Sequence, residues 1–310
     1  MTAQQITYLV FGIVLLIALV FDLGLLSRKN KIISIRNALY QTLFWVILAM
    51  AFFVFIWMED GEVLAFQYLS GYLMEWSLSI DNIFVFILIF SSFSIKEKYS
   101  GQVLMIGILM AVIFRVIFIT LGVALVERFE WVLYIFGAFL VYTGIKMFSE
   151  KEDAEFDPQQ SRVYKFLNRF LPLVPHDGNG RYIIREHNKP AYTTLFVVVI
   201  MLAVTDLIFA FDSIPAVMGI SRDKMVIYTS NIFAVLGLRS MFFLLKGAVN
   251  KFGHLQQGIA IVLVFIGLKM LAEIFHFTVP IYASMMVIVV CIGGSIAYSI
   301  HEAAKKAKKE

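Results

Sequence analysis

The chain is 310 residues long, 60% hydrophobic and only 15% charged, with a mean hydropathy of +0.84. Soluble globular chains carry about 25% charged residues, so a soluble fold of this size would lack the polar side chains to cover itself, and 30 Phe against 6 Pro exclude a disordered chain. One cysteine, Cys291, excludes a disulfide framework and a cysteine-based metal cluster, and the net charge of +4 sits in loops between apolar runs, so it gives no reason to invoke nucleic acid.

A bilayer crossing needs about 20 apolar residues. Nine runs qualify: residues 6–26, 38–58, 64–91, 103–126, 131–148, 192–219, 225–247, 257–275 and 279–300. Residues 162–175 form a tenth run, too short and too charged to span. No Lys or Arg precedes Arg28, so the first run lacks the basic start of a cleavable signal peptide and reads as a retained helix. Basic residues concentrate in alternate connections (Arg28 to Arg36, Lys96 and Lys98, residues 150–191, Lys251, and the lysine-rich tail). The opposite connections hold Arg128, Arg222 and Lys224 beside the acidic turn Glu59, Asp60, Glu62. This asymmetry predicts the N-terminus outside and the C-terminus in the cytoplasm.

The predicted fold is an all-α membrane protein, a single polytopic domain over residues 1–310. It divides into a first repeat at 64–149, a cytoplasmic loop at 150–191, a second repeat at 192–276 and a last helix at 279–300. Within the loop, residues 150–157 are acidic. Val163, Phe166, Leu167, Phe170 and Leu171 then share one helical face beside Arg162, Lys165 and Arg169. That pattern fits a basic amphipathic helix on the inner lipid surface, or equally a helix packed on its own bundle. Residues 177–180 read as a turn and 182–184 as a strand of a hairpin.

The chain repeats itself. Glu75-Trp-Ser-Leu-Ser-Ile-Asp81-Asn82-Ile-Phe matches Asp206-Leu-Ile-Phe-Ala-Phe-Asp212-Ser213-Ile-Pro. Ala111-Val-Ile-Phe-Arg115 then matches Val235-Leu-Gly-Leu-Arg239, and Gly144-Ile-Lys146-Met147 matches Gly267-Leu-Lys269-Met270, in the same order. Each copy holds three spans, an odd number, so the copies are expected to run antiparallel. That is the inverted-repeat plan of secondary transporters, with a site at the repeat interface.

Charged residues inside spans cost about 2.5–3.5 kcal/mol each on insertion scales, and this chain keeps Glu75, Asp81, Arg115, Asp206, Asp212, Arg239 and Lys269, with Lys146 nearer a span end. Glu75 and Asp81 lie about 9 Å apart along a helix and roughly 120° apart around it, whereas Asn82 falls almost under Glu75 and Ser213 under Asp206. Pro215 removes a helix bond and is expected to break the second motif's helix, freeing carbonyls toward a cavity. Two such segments meeting head to tail bring carboxylates, Asn82 and Ser213 together. An all-oxygen, carboxylate-rich shell suits a hard divalent cation, Mn²⁺, Ca²⁺ or Mg²⁺. Met74 offers a thioether that tilts preference toward Mn²⁺, although packing is the commoner role of such a residue.

Asp81 and Asp212 are the first-choice ligands, Glu75 and Asp206 complete or protonate the site, and Arg115, Arg239, Lys146 and Lys269 are counter-charges. The same four acids and four bases also sum to zero, so a self-neutralising ion-pair network in a non-transporting scaffold or regulator fits the pattern too. Paired intramembrane aspartates suggest a protease, but neither lies in a Gly-x-Gly-Asp context. No enzymatic activity and no permanently bound cofactor are expected. His276, near a helix end, is the one histidine placed to sense pH.

With these motifs, together with Tyr134-Ile-Phe-Gly-Ala-Phe-Leu and Ser230-Asn231-Ile-Phe-Ala-Val-Leu-Gly-Leu-Arg239, the chain resembles the TerC/Alx family of integral membrane proteins over essentially its whole length, most of all the bacterial Alx branch. The resemblance implies an inner-membrane exporter of Mn²⁺, and of Ca²⁺ as a second cargo, with Glu75, Asp81, Asp206 and Asp212 as the family's carboxylates. The family's name comes from tellurite resistance. Carboxylates around Arg115 and Arg239 would repel such an oxyanion, and a redox role finds no visible ligand set in a chain with one cysteine.

Overall fold

A computed structural model describes residues 3–26, 34–149, 160–186, 189–246, 255–275, 277 and 279–306. The acidic run at 150–157 and His276 therefore lie outside the described residues. The helices, in chain order, are α1 (Ala3–Leu26), α2 (Ile35–Glu59), α3 (Glu62–Ser92), α4 (Glu97–Arg128), α5 (Val132–Ser149), α6 (Arg162–Phe170), α7 (Thr194–Ile220), α8 (Lys224–Leu236), α9 (Leu238–Leu245), α10 (Leu255–Ala272) and α11 (Ile281–Lys306). Among the described residues, six helices are long and apolar enough to cross a membrane. The pair α8 and α9, bent by 41°, meets the same test together and makes a seventh crossing if it is counted as one span, while Gln5–Ala18 and Val132–Phe148 are shorter apolar helices. Each of the nine expected runs thus carries helix, but six or seven meet the length and hydropathy of a span.

Burial follows helical periodicity. On α2 the buried residues are Ala38, Thr42, Trp45, Ala49, Phe52 and Ile56, a stripe at intervals of three and four. The opposite face, with Leu43, Phe44, Ile47, Val54 and Trp57, is exposed, as are Ile113, Ile117 and Leu121 on α4 and Met286, Val289 and Val290 on α11. Apolar side chains outside and acids inside invert the soluble pattern, as a hydrocarbon solvent requires. The long α7, with most of its residues buried, and the short, almost wholly buried α8 form the centre, α4 packs along α7, and α3 packs along both. Phe11 of α1 and Phe52 of α2 close against Phe233 of α8 in an aromatic cluster.

α5 packs mainly against α10, and glycines set how closely they approach. A Cβ at Gly267 would lie 2.5 Å from the Gly137 carbonyl oxygen, and one at Gly144 would lie 2.8 Å from that of Ala260. Contacts this close between backbones need residues without side chains.

Pro215 does not break its helix. α7 runs through it to Ile220 without interruption, with Ala210, Ile214, Ala216 and Val217 buried on both sides of it. A proline deletes one intrahelical bond, a loss that neighbouring helices compensate within membranes.

Outside the spans, β1 (Ile183–Glu186) and β2 (Lys189–Tyr192) pair antiparallel, with Ile183 opposite Tyr192. The turn before them has positive φ at Gly178, Asn179 and Gly180, and the Gly180 amide donates to the Asp177 carbonyl at 2.9 Å. Lys96 reaches across to Asp177 at 2.6 Å. This hydrogen bond holds the Asp177 carboxyl below the usual carboxylate range, so the pair supports the turn above that range and is lost as pH falls through the depressed value. The protection of the Asn179 amide, which donates to the Asp177 carboxylate at 3.1 Å, taken as its exchange rate against the intrinsic rate at the same pH, is expected to fall on acidification in the wild type and to be low already at neutral pH in Asp177→Asn.

Candidate cation site

The register of α4 decides where its arginine goes. Ser100, Leu104, Gly107, Ala111, Arg115, Ile119 and Val123 make one inward stripe, and Arg115 at 1% exposure lies within it. Its guanidinium meets two fully buried carboxylates from two other helices. Nε and Nη2 donate to the two oxygens of Asp206 on α7, at 3.0 and 2.9 Å, a two-pronged contact matched to the guanidinium fork. Nη1 donates to Oε1 of Glu75 on α3. The same nitrogen lies 3.5 Å from Ser213 Oγ and 3.3 Å from Asn231 Oδ1 on α8, and the Asn231 amide is aimed by its bond to the Ile227 carbonyl at 3.0 Å. Three helices thus converge on one side chain of a fourth.

Two carboxylates against one guanidinium leave these three side chains with a formal charge of −1. Glu75 Oε2 is buried without a hydrogen-bond partner among the described residues, and so is Ser79 Oγ one turn further along the same face of α3. Buried ions cost several kcal/mol each unless paired and bonded, so the unsatisfied oxygens mark the place where another positive group or proton is best received.

Asp212 is not part of this cluster. Six residues past Asp206, it lies on another side of α7 and accepts from Thr143 Oγ1 of α5 at 3.2 Å, with Lys146, one turn further on α5, near enough to act on its charge. Asp81 lies on α3, and its side chain is outside the described residues. Asn82 is buried on α3, Arg239 at the start of α9 and Lys269 on α10. Of the expected set, the fold brings together Glu75, Asp206, Ser213 and Arg115, and it places Asp212 with Lys146 elsewhere. Among the described residues no three His, Cys, Asp or Glu side chains lie together closely enough to hold a metal ion. Met74 is fully buried in the core.

Two contributors escaped the sequence analysis: Asn231 and Thr143. The available signal for Asn231 was the polar trio Thr229-Ser230-Asn231 within an apolar run, all three fully buried. Near the far end of α4, a cavity of about 130 Å³ is lined by Glu127, Glu130, Met218 and Arg222 among others.

Residues 60–309 match the family model described as Integral membrane protein TerC family. The chain is 40% identical over 282 residues to "Uncharacterized membrane protein STKORF319" of Myxococcus xanthus, covering 91% of this chain and 88% of that one. It is 37% identical to "Uncharacterized membrane protein" of Rickettsia felis, covering 95% and 97%. Over 289 residues it is 38% identical to a protein of Escherichia coli K12 named "Putative membrane-bound redox modulator Alx", covering 90% and 89%. No solved structure matches the chain.

Proposed function

From the premise that the chain belongs to the TerC family of integral membrane proteins, we propose that it exports a divalent cation from the cytoplasm across the inner membrane by alternating access, Mn²⁺ first and Ca²⁺ second. The observation that carries this is the pair Glu75 and Asp206, fully buried and one from each sequence repeat, drawn to a single arginine. Charge arithmetic gives the arginine its part. With both acids ionised the cluster carries −1 with the guanidinium and 0 with a divalent cation in its place, whereas both together would give +1. Cation and guanidinium therefore compete, and Arg115 holds the carboxylates when the cation is absent. Oxygen donors alone favour hard ions over Zn²⁺ or Cu⁺. Asp81 and Asp212 serve as further ligands along the path, and Arg239 and Lys269 as counter-charges. The cavity at Glu127 and Glu130 fits an outer vestibule.

Nine spans, with the N-terminus outside, and two inverted repeats belong to the same proposal. Its support is a symmetry in the contacts. Exchanging repeat partners turns the Gly137–Gly267 approach into Ala260–Gly144, and both are present. The same exchange turns Gly71 against Ser230 into Leu202 against Ile106, and Leu202 is found against the adjacent Gly107. Self-complementary contacts of this kind are what a two-fold relation produces.

The two-pronged bond to Asp206 favours one competing function, a non-transporting scaffold or regulator in which the cluster only ties helices together. Liposomes containing the purified protein and an internal Mn²⁺-quenched dye separate the two. Wild type is expected to admit Mn²⁺, and Glu75→Gln, Asp206→Asn, Asp81→Asn and Asp212→Asn to lose entry while still melting cooperatively. No entry in wild type sinks the transporter, and full entry in both Glu75→Gln and Asp206→Asn moves the site elsewhere.

A further inference from the structure

The short helix α6 has two separate apolar surfaces. One is spent inside the protein: Leu167 is buried, Val163 and Tyr164 pack on the core, and the Tyr164 ring lies 5.5 Å from that of Phe93 at the end of α3. The Ser161 side chain caps the helix by accepting from the Tyr164 amide, and it also reaches Met201 of α7. These contacts fix the helix against the end of the bundle where α3 finishes and α4 and α7 begin.

The second surface has no partner among the described residues. Phe166 and Phe170, at 62% and 63% exposed, are one turn apart with ring centroids 4.7 Å from each other. Arg162, Lys165 and Arg169 are exposed around them, the Arg169 guanidinium lies 5.7 Å from the Phe170 ring centre, and the nine-residue helix contains no acid. Lys96 and Lys98 stand at the same end of the bundle, at the start of α4. An aromatic wedge ringed by cations, held at the end of membrane-crossing helices, has the chemistry of an interfacial anchor. Rings partition to the headgroup and upper acyl region, and the basic side chains reach the phosphates above it.

We propose that the Phe166–Phe170 face of α6 inserts into the surface of the chain's own membrane and selects anionic lipid headgroups through Arg162, Lys165 and Arg169. Charge complementarity and continuity with the lipid-facing bundle decide for lipid. The cations and rings of this face, with no acid among them, are the complement of an anionic headgroup layer over acyl chains. α6 is also packed against the end of α3 and against α7 through Tyr164 and Ser161, so lipid bound here acts on a helix that leans on the ones carrying Glu75 and Asp206.

The test uses the full-length chain with Cys291→Ser and Phe170→Cys, spin-labelled at position 170, in vesicles of phosphatidylcholine alone or with phosphatidylglycerol. Collision with dissolved oxygen reports lipid, and collision with a water-soluble nickel chelate reports solvent. Three cations near an anionic surface favour it over a neutral one by roughly two orders of magnitude. The label is therefore expected to move from chelate-accessible to oxygen-accessible as phosphatidylglycerol is added, and Arg162→Gln/Lys165→Gln/Arg169→Gln is expected to abolish the shift. A label equally solvent-exposed in both vesicles overturns the proposal, as does one equally buried in both. A label that is dry in native membranes and wet in every vesicle also overturns it, and gives the face to a protein partner. Position 170 is exposed, so the substitution removes its contacts with Phe166 and Arg169 and nothing from the core. Labelling at Phe166→Cys repeats the measurement independently.

Discussion

Arg115→Gln is expected to cost about 3–5 kcal/mol of stability, the price of leaving buried carboxylates without their counter-ion. Glu75 and Asp206 have no solvent to turn to, since both are fully buried. Thermal unfolding in detergent micelles measures the loss. Arg115→Lys is expected to fall between, because an ammonium supplies the charge but not the two parallel bonds to Asp206. Arg115→Gln combined with Asp206→Asn is expected to recover part of the loss, the signature of coupled residues. If a divalent cation and the guanidinium compete for the same oxygens, millimolar Mn²⁺ raises the melting point of Arg115→Gln more than that of wild type, by mass action on the folded state. An Arg115→Gln protein that melts like wild type would remove the cluster from any account of this fold.

Gly267→Val is the second large effect. Even the first carbon of a new side chain would lie 2.5 Å from the Gly137 carbonyl oxygen and 2.8 Å from Val141 Cγ2. Backbone on one side and a packed helix on the other leave nothing flexible to yield, so α5 and α10 must separate. Overpacking of a tight core costs about 1–3 kcal/mol and sometimes more, and Gly144→Val, facing Val264 at 2.6 Å, is expected to behave alike. Gly293→Ala and Gly294→Ala on α11 are the controls. A Cβ there meets nothing within 4 Å, so the higher helix propensity of alanine is expected to leave stability unchanged or raise it by about 0.5–1 kcal/mol. Monodisperse yield and melting temperature in detergent read both pairs, and equal losses in the two would deny the α5–α10 contact.

Much of this was legible in the sequence, and for definite reasons. Apolar runs announce helices because a bilayer leaves the backbone few other choices, and intramembrane charges announce themselves by their cost. Helical azimuth also predicts that Ser213 follows Asp206 to one face while Asp212 turns to another, as it does. Azimuth, however, gives a direction and not a neighbour. That Arg115 collects Glu75 and Asp206, and that Thr143 of α5 answers Asp212, depends on how helices far apart in sequence are set together. Pro215 misled because its cost was weighed in isolation, whereas α7 continues through it with buried residues packed on both sides. The division of residues 225–247 into α8 and α9 at Gly237 was hidden inside one apolar run.

A positive group fixed to the chain by its own side chain behaves differently from an ion in solution, and the tether of Arg115 to α4 carries that difference into energetics. In the proposed cycle, departure of the cargo leaves Glu75 and Asp206 with a guanidinium that cannot diffuse off and that covers one of their two charges, so one proton or one monovalent cation from either compartment completes neutrality. Under that proposal a charge tied to α4 cannot cross with the field as a free ion would, and little leak of small cations through the empty form is expected.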